Sequence, residues 1–264
     1  MTADPLDGVT VHRDVVHRQV EGYRPLALDL YVPADEVLAL CVYTHGGGWL
    51  RGSRRVGPGP LSPTSAQHFV RAASQGLAVA SVDYRLSGEA RFPAQRDDVG
   101  SAVDFLEQNR ERFGLGDAPL VTWGVSAGGQ LAALRALTDP DVRACALWYA
   151  VSDLRTMPAF PVDDGPSREQ RVMGGTAEEL PEAFAAASPV THVSPSAPSF
   201  LLLHGDQDQA VPFEQSATLH DALTAAGASS TYELVEGYEH LFAGMPLDGV
   251  EALVDRTVSF LLAP

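Results

Sequence analysis

One serine of this chain has neighbours that could make it a nucleophile. Ser126 stands in the sequence Gly124-Val125-Ser126-Ala127-Gly128, after an apolar run that begins at Leu120 and before an apolar helical pattern. A strand, a sharp turn with glycines on both sides and a helix together form a nucleophile elbow, which exposes the serine hydroxyl at the edge of a sheet. Glycine-rich turns also precede helices in many other proteins, so this pattern alone leaves both interpretations open.

The side chains that could activate this serine follow two later strands. A serine hydroxyl is a weak nucleophile near neutral pH and needs a base that takes its proton. His240 is the best candidate because it follows the last predicted strand. Asp208, after the preceding strand, could hold the imidazole in one tautomer, but Asp206 lies in the same loop and position alone does not separate the two. Four other histidines fall in the predicted hairpin or helices: His12, His17, His68 and His220.

A run of three glycines could bind a carbonyl oxygen through its backbone. Gly46–Gly48 follows another apolar strand, and glycine there lets the backbone approach a substrate closely. With the amide of Ala127, these N–H groups would stabilise the charge that develops on the oxygen during acyl transfer. A flexible turn or a phosphate-binding loop would also contain such glycines. The phosphate-binding alternative is disfavoured, because no P-loop lysine follows and the bulky Trp49 comes directly after the glycines. His45 and His204 precede glycines in tight turns, and we interpret both as structural.

No residue pattern indicates a metal or a cofactor. The His and Cys residues lack metal-ligand spacing, and the acidic pairs Asp97-Asp98 and Asp163-Asp164 are more simply solvated or helix-capping. Cys41 and Cys145 both fall in apolar runs, which is typical of small buried hydrophobic residues rather than of a disulfide. We therefore expect no metal ion and no cofactor.

The elements that must position these residues alternate along the chain. Val9–Val20 and Leu26–Val32 alternate apolar and polar residues and predict an antiparallel hairpin with one solvated face. Buried strands then alternate with helices, which predicts an α/β fold with a mostly parallel sheet covered on both faces. The predicted strands are Leu38–Thr44, Leu77–Asp83, Leu120–Gly124, Ala144–Val151, Ser199–His204 and Thr231–Glu236; the predicted helices are Thr64–Gln75, Ala94–Arg112, Ala127–Thr138, Phe213–Ala226 and Leu247–Leu262.

One stretch interrupts this alternation. Residues 153–198 contain seven prolines and only a short helical pattern around Ala177 to Ala187. A connection of this length is usually functional, so we predict a small lid over the strand ends, within a single domain that spans residues 1–264. Four residues could form pocket walls or could only pin the loop to the domain: Met157, Phe160, Met173 and Phe184.

Composition limits the classes of partner. The 264 residues are 45% hydrophobic and carry a formal net charge of −16, which argues against nucleic acid or an anionic membrane as a partner. The N-terminus lacks the pattern of a signal peptide, and apolar runs such as Val37 to Tyr43 are too short to cross a bilayer. These observations predict a cytoplasmic protein that acts on a small molecule, with its oligomeric state left open.

Taken together, these motifs resemble those of the α/β-hydrolase superfamily, and more narrowly its esterase branch with an HGGGW loop, near the feruloyl-esterase-like and hormone-sensitive-lipase-like groups. The resemblance implies that Ser126, Asp208 and His240 form a catalytic triad, because Asp208 matches the family's position ahead of Val211-Pro212. It also implies that Gly47, Gly48 and Ala127 supply the oxyanion donors.

Two departures from the hormone-sensitive-lipase-like pattern narrow the resemblance. Val125 stands where many members of that group carry Asp, and the N-terminal segment is too short for their helical cap. Both favour the compact feruloyl-esterase-like or arylformamidase-like groups.

The resulting expectation is a carboxylesterase that cleaves small acyl esters through an acyl-enzyme at Ser126. An arylformamidase or small amide and peptide hydrolase would use the same residues, and a non-catalytic ligand binder of this fold would be expected to lack one of them. Trp49 and Leu50, with Val125 and Val211, are the candidate pocket residues. Bulky side chains beside the glycine run would favour acyl chains of roughly two to six carbons, since they leave little room.

Overall fold

A computed structural model describes residues 3–6, 8–60, 66–159 and 161–263. Within these residues nine strands form one mixed sheet in the order β1-β2-β3-β5-β4-β6-β7-β10-β11. The strands are β1 (Ala3–Leu6), β2 (Val9–Arg18), β3 (Leu26–Pro33), β4 (Ala39–Thr44), β5 (Leu77–Val82), β6 (Leu120–Val125), β7 (Val142–Trp148), β10 (Ser199–Gly205) and β11 (Ser230–Val235).

The sheet is antiparallel at one side and parallel through its centre. Three strand pairs are antiparallel: β1–β2, β2–β3 and β3–β5. The other five pairs are parallel: β5–β4, β4–β6, β6–β7, β7–β10 and β10–β11. The predicted hairpin and the predicted parallel sheet are therefore both confirmed. All parallel strands end at the same edge, which brings the loops after β4, β6, β10 and β11 together.

Helices cover both faces of the sheet, as predicted. One face packs against α2 (Ala94–Gln108), α4 (Ala127–Thr138) and α7 (Glu214–Ala225), and the other against α1 (Gln67–Ala73) and α8 (Leu247–Leu261). Adjacent residues of β4 show why the sheet is buried on both sides, since Val42 joins one core and Tyr43 the other. No helix of the described residues is long and apolar enough to cross a membrane.

The predicted solvated face of the hairpin is present on β2, whose residues largely alternate between buried and more exposed, but not on β3. Every residue of β3 is buried, including Asp29, whose carboxylate accepts a hydrogen bond of 2.9 Å from Arg54 Nε. The alternation of Leu26, Leu28 and Leu30 with other residues thus reflects a buried ion pair rather than exposure to water. A charged side chain can be buried in this way because its partner compensates for lost solvation.

The insertion at residues 153–198 contains more structure than predicted. It forms a short hairpin of β8 (Pro161–Val162) and β9 (Gly165–Ser167), then α5 (Arg168–Met173), α6 (Pro181–Ala186) and a 3-10 turn (Pro189–His192). Met157 lines the cavity described below, whereas Met173 and Phe184 are buried in the hydrophobic core. Phe160 lies outside the described residues. Met157 is thus a pocket wall, as one alternative predicted, and Met173 and Phe184 pin the insertion to the domain, as the other predicted.

Two predicted helices also differ from the structure. The helix predicted over Ala94–Arg112 is two helices, because Asn109 has non-helical dihedral angles between α2 and α3 (Arg110–Phe113). The helix predicted over Thr64–Gln75 is shorter among the described residues, where it spans Gln67–Ala73, and Thr64 itself lies outside them.

Candidate active site

Ser126 lies in a strained turn between β6 and α4. Its φ is 52° and its ψ is −125°, a combination that is costly for a residue with a side chain. Its amide donates a hydrogen bond of 3.0 Å to the carbonyl of Trp148 on the neighbouring strand β7. This contact holds the turn against the sheet while the hydroxyl reaches the cavity that Ser126 lines.

The turn packs so closely that two glycines leave no room for a side chain. A Cβ atom at Gly128 would clash with the carbonyl oxygens of Thr44 and His45, and one at Gly124 would clash with the carbonyl of Gly128. Gly128 therefore lets the start of α4 rest directly on the end of β4. This close approach places Ser126 beside the loop that follows β4.

We expect Gly128→Ala to destabilise the protein by about 1–3 kcal/mol, the usual effect of overpacking a tight site. At a helix position with free space around it, the same exchange would stabilise the protein by about 0.5–1 kcal/mol, because alanine favours the helix more than glycine does. Urea denaturation measures the difference, and Gly100→Ala in α2 is a matched control. A Cβ at Gly100 would meet only Arg135 Nη1, at 3.4 Å. Equal stabilisation by both exchanges would contradict the close contact between α4 and β4.

A hydrogen-bonded chain joins Ser126 to His240 and Asp208. Ser126 Oγ lies 3.0 Å from His240 Nε2, and His240 Nδ1 lies 2.6 Å from Asp208 Oδ2. Because an ionised carboxylate only accepts hydrogen bonds, Nδ1 carries the proton. The other ring nitrogen, Nε2, is thereby left free to accept the proton of the serine hydroxyl.

The imidazole of His240 is held by aromatic rings and a tight turn. Tyr149 contacts it edge to face, with ring centroids 4.9 Å apart, and Phe242 packs against Tyr149 at 5.0 Å. Leu241 and Phe242 both have positive φ, 66° and 52°. The fully buried ring of Phe242 anchors this turn, so the strained backbone keeps His240 at the cavity.

Asp208 is buried and accepts hydrogen bonds on both oxygens. Oδ1 accepts from the amides of Ala210 and Val211, each at 2.9 Å, while Oδ2 faces His240. Burial alone would raise the pKa of Asp208, but hydrogen bonding to His204 and His240 holds that pKa well below its ordinary value. Asp208 is therefore an anion throughout the neutral pH range.

His204 supports the same loop from inside the protein. It is fully buried, its Nε2 lies 2.9 Å from the carbonyl of Val211 and 3.3 Å from Asp208 Oδ2, and its Nδ1 lies 2.7 Å from Ser216 Oγ. A carbonyl only accepts, so Nε2 carries a proton and presents a positive edge to Asp208. These contacts agree with the structural interpretation of His204.

Asp206 lies in the same loop but contacts neither histidine. Its Oδ1 accepts a hydrogen bond of 2.7 Å from the amide of Gly237, after β11. This hydrogen bond joins the loop after β10 to the loop after β11. Of the two carboxylates that the sequence left open, the structure brings only Asp208 to His240.

The glycine loop after β4 is built on a buried stack of two rings. His45 lies parallel to Tyr84 at 4.4 Å, and the Tyr84 hydroxyl donates to the carbonyl of His45. Burial lowers the pKa of His45 to about 4, so its ring is neutral near pH 7, and its Nδ1 donates to the carbonyl of Gly46 at 2.7 Å. His45 is therefore structural, as predicted.

Trp49 connects this loop to the rest of the site. Its indole Nε1 donates to Gln130 Oε1 at 3.0 Å, and Gln130 Nε2 donates to the carbonyl of Ala187 at 2.6 Å. Gln130 lies on α4, which begins at the nucleophile turn, and Ala187 lies in the insertion. One chain of buried hydrogen bonds thus joins the loop, the helix and the insertion.

A cavity of about 340 Å³ surrounds Ser126 and His240. Three of the four candidate pocket residues, Trp49, Val125 and Val211, line it, but Leu50 does not. In the tight turn after the glycines, the amide of Leu50 bonds back to the carbonyl of Gly47, and its side chain is not among those that face the cavity. The predicted oxyanion residues Gly47, Gly48 and Ala127 all line the cavity.

Sequence reasoning missed several lining residues, including Arg51, Arg168 and Glu169. The last two begin α5, which Ser167 and Gln170 start with reciprocal hydrogen bonds between each side chain and the other residue's amide. This capping box is a recognisable sequence signal, Ser-x-x-Gln, that would have located the helix. Within the described ranges, no group of three His, Cys, Asp or Glu residues could hold a metal ion.

Comparisons with known proteins find similarity to one family and to several esterases. The model of the BD-FAE family matches residues 28–223. Esterase LipC of Mycobacterium tuberculosis is 31% identical over 90% of this chain and 63% of its own length. The chain spans about half to two thirds of the curated relatives that it matches.

Solved structures share the fold. A truncated carbohydrate esterase from gut microbiota superposes with a TM-score of 0.81 at 22% identity, over 99% of this chain and all of its own. Native esterase Est2 of Thermogutta terrifontis superposes with a TM-score of 0.74 at 25% identity, over 97% of this chain and 92% of its own.

Proposed function

The chain belongs to the BD-FAE family of the α/β-hydrolase superfamily, and we propose that it is a serine hydrolase that cleaves small carboxylic esters through an acyl-enzyme intermediate. The observation that carries the proposal is the chain of hydrogen bonds from Ser126 Oγ through His240 to Asp208. Related proteins named as esterases support the choice of ester over other acyl substrates.

The proposed reaction assigns one step or role to each of the three hydrogen-bonded residues. Ser126 Oγ attacks the carbonyl carbon as His240 Nε2 takes its proton, and Asp208 stabilises the imidazolium that forms. Collapse of the tetrahedral intermediate breaks the ester C–O bond, and His240 returns the proton to the departing alkoxide. Water then attacks the acyl-serine by the same route, releases the acid and restores the Ser126 hydroxyl.

We assign the oxyanion site to the amides of Gly47, Gly48 and Ala127. All three residues line the cavity beside Ser126, and the amides of Gly47 and Gly48 donate no hydrogen bond to another described residue. Ala127 begins α4, where the first amides of a helix have no partner within it. Each such donor is typically worth about 2.7–4 kcal/mol of transition-state stabilisation.

The insertion at residues 153–198 is proposed to act as a small lid. It contributes Met157, Arg168 and Glu169 to the cavity lining, and its Ala187 carbonyl is tied to α4 through Gln130. The single domain over residues 1–264, the cytoplasmic location and the absence of nucleic acid or membrane partners stay predictions from the sequence. Oligomeric state stays open.

We expect the protein to hydrolyse short-chain esters in preference to long-chain esters, formamides and anilides. The cavity of about 340 Å³ lies near the lower end of the usual range for ligand pockets, about 300–1,000 Å³, and must hold the leaving group as well as the acyl chain. The measurement compares kcat/KM for 4-nitrophenyl acetate, butyrate and decanoate with values for N-formylkynurenine and an aminoacyl anilide.

Each substrate isolates one part of the proposal. Faster turnover of decanoate than of butyrate would contradict the short-chain preference but leave the esterase assignment intact. Higher kcat/KM for N-formylkynurenine or the anilide than for either short ester would replace the esterase assignment with an amide-type activity. No turnover of any substrate, with Ser126 unreactive, would favour a ligand-binding protein.

A further inference from the structure

Three charged side chains line the cavity without a role in the proposed hydrolysis. Arg51 follows the glycine loop, and Arg168 and Glu169 open α5 in the insertion. The remaining lining near Ser126 is mostly apolar and includes Trp49 and Val125. Charged groups in such surroundings are the feature most able to select one class of ester over another.

Both arginines pack against the oxyanion loop. A Cβ atom added to Gly47 would lie 3.3 Å from Arg51 Cγ, and one added to Gly48 would lie 3.0 Å from Arg168 Nε. Arg51 is also fixed at its backbone, since its amide donates to the carbonyl of Gly47 at 3.2 Å. The two arginine side chains therefore lie against adjacent glycines of the loop that would hold the substrate carbonyl.

Neither arginine has an acidic partner in the described part of the chain. Twelve other arginines form ion pairs with Asp or Glu. A scarcity of acids does not explain the difference, because the formal net charge of the protein is −16. Arg168 is partly buried and Arg51 is exposed, and neither guanidinium is neutralised by an ion pair.

Glu169 limits how much positive charge the cavity holds. It is buried, with 9% of its surface exposed, and no described residue hydrogen-bonds its carboxylate. The two arginines and Glu169 together carry a formal charge of one positive unit. An anion near the arginines is attracted, and the same anion is repelled by Glu169.

We propose that the cavity selects esters that carry a carboxylate, which Arg168 and Arg51 bind. A guanidinium offers paired N–H donors in a plane that matches the two oxygens of a carboxylate. This inference rests on the proposed function, because it concerns the substrate of the same serine. It adds the charge of the substrate, which the motifs around Ser126 do not specify.

The test uses pairs of esters that differ in one carboxylate. On the acyl side, 4-nitrophenyl pentanoate is compared with mono-4-nitrophenyl glutarate, which has a carboxylate where pentanoate has its terminal methyl. On the alcohol side, phenyl acetate is compared with 4-carboxyphenyl acetate. For each protein, the ratio of kcat/KM for the charged ester to that for the neutral ester is measured. Comparison of ratios between variants cancels the intrinsic reactivity of the substrates.

For at least one pair, we expect Arg168→Gln to lower this ratio about tenfold or more, the effect of losing a hydrogen bond between charged groups. The loss should fall mainly on KM, because the carboxylate is bound equally in the ground and transition states. Arg51→Gln should lower the ratio in the same pair, and Glu169→Gln should raise it. Arg168→Lys should retain part of the preference.

Arg143→Gln is the matched control. Arg143 is an exposed arginine of β7 that also forms no ion pair with a described residue but does not line the cavity. Its ratio should equal that of the wild type. Unchanged ratios in both Arg168→Gln and Arg51→Gln would overturn the inference if these variants still hydrolyse the neutral esters. Absence of neutral-ester hydrolysis in the wild type would instead contradict the proposed function itself.

Discussion

Replacement of Ser126 by alanine is expected to reduce kcat for a short-chain ester by about 10⁶-fold, the loss typical of a removed triad nucleophile. The side chain of Ser126 provides the only hydroxyl that lies 3.0 Å from His240 Nε2 among the described residues. Alanine keeps the Cβ atom and the backbone conformation of the turn. The loss should therefore reflect missing chemistry rather than altered folding.

A fluorophosphonate probe separates these two causes directly. It should label the wild type and leave Ser126→Ala unlabelled, with both proteins equally stable in urea. Ser81→Ala is the matched control, since Ser81 is a buried serine outside the cavity lining that donates a hydrogen bond of 2.6 Å to the carbonyl of Arg54. It should keep its labelling and nearly all of its activity. Labelling of Ser126→Ala at the wild-type level would place the nucleophile elsewhere.

The residues that the structure brings to this site share a sequence context that made them predictable. Ser126 follows β6, Asp208 follows β10 and His240 follows β11. Strands β6 and β10 are buried and largely apolar, so their ends are marked by the glycines and polar residues that follow, whereas the half-exposed edge strand β11 is marked by its place at the end of the alternation. Because such strands all end at one edge of the sheet, their loops meet whatever the sequence distance between them. Ser126 and His240 are therefore brought together although they are 114 positions apart in the sequence.

Other parts of the molecule depend on partners that are distant in sequence and leave no local pattern. Asp29 is buried in β3 because Arg54 reaches it, and alternation along the strand alone indicates a solvated face. Leu50 adjoins Trp49 in sequence, but the tight turn on Gly47 leaves only the tryptophan in the cavity lining. Side-chain direction in a turn with positive φ, as at Trp49, cannot be deduced from residue type.

The charged lining of the cavity was missed for a related reason. Arg168 and Glu169 lie in a proline-rich insertion whose hydrophobic pattern is too short to indicate how it folds. The capping box locates the helix that carries them, but not its approach to Gly48 of a loop 120 residues earlier. The reaction chemistry is therefore easier to infer from this sequence than the choice of substrate. The reacting residues come directly after strands of the sheet, whereas the charged residues proposed to select the substrate lie in loops and in the insertion.

The exchange Asp208→Asn is expected to reduce kcat/KM for a short-chain ester by about 10⁴-fold, by analogy with the triad of serine proteases. The amides of Ala210 and Val211 donate to one oxygen of Asp208, so an asparagine would turn its own oxygen toward them. Its NH₂ group would then face His240 and donate to Nδ1. His240 would have to carry its proton on Nε2, the nitrogen that must accept the proton of Ser126.

Asp206→Asn is the control that separates this tautomer effect from the loss of a charge in the same loop. Asp206 accepts one hydrogen bond, from the amide of Gly237, and the oxygen of asparagine can accept the same bond. Activity should therefore stay close to that of the wild type, with a stability change of at most about 1 kcal/mol. The same ester assay and urea denaturation apply to both variants. A larger loss of activity in Asp206→Asn than in Asp208→Asn would reverse the assignment of the acid. Comparable losses in both would contradict the tautomer argument, because of these two carboxylates only Asp208 is hydrogen-bonded to the imidazole.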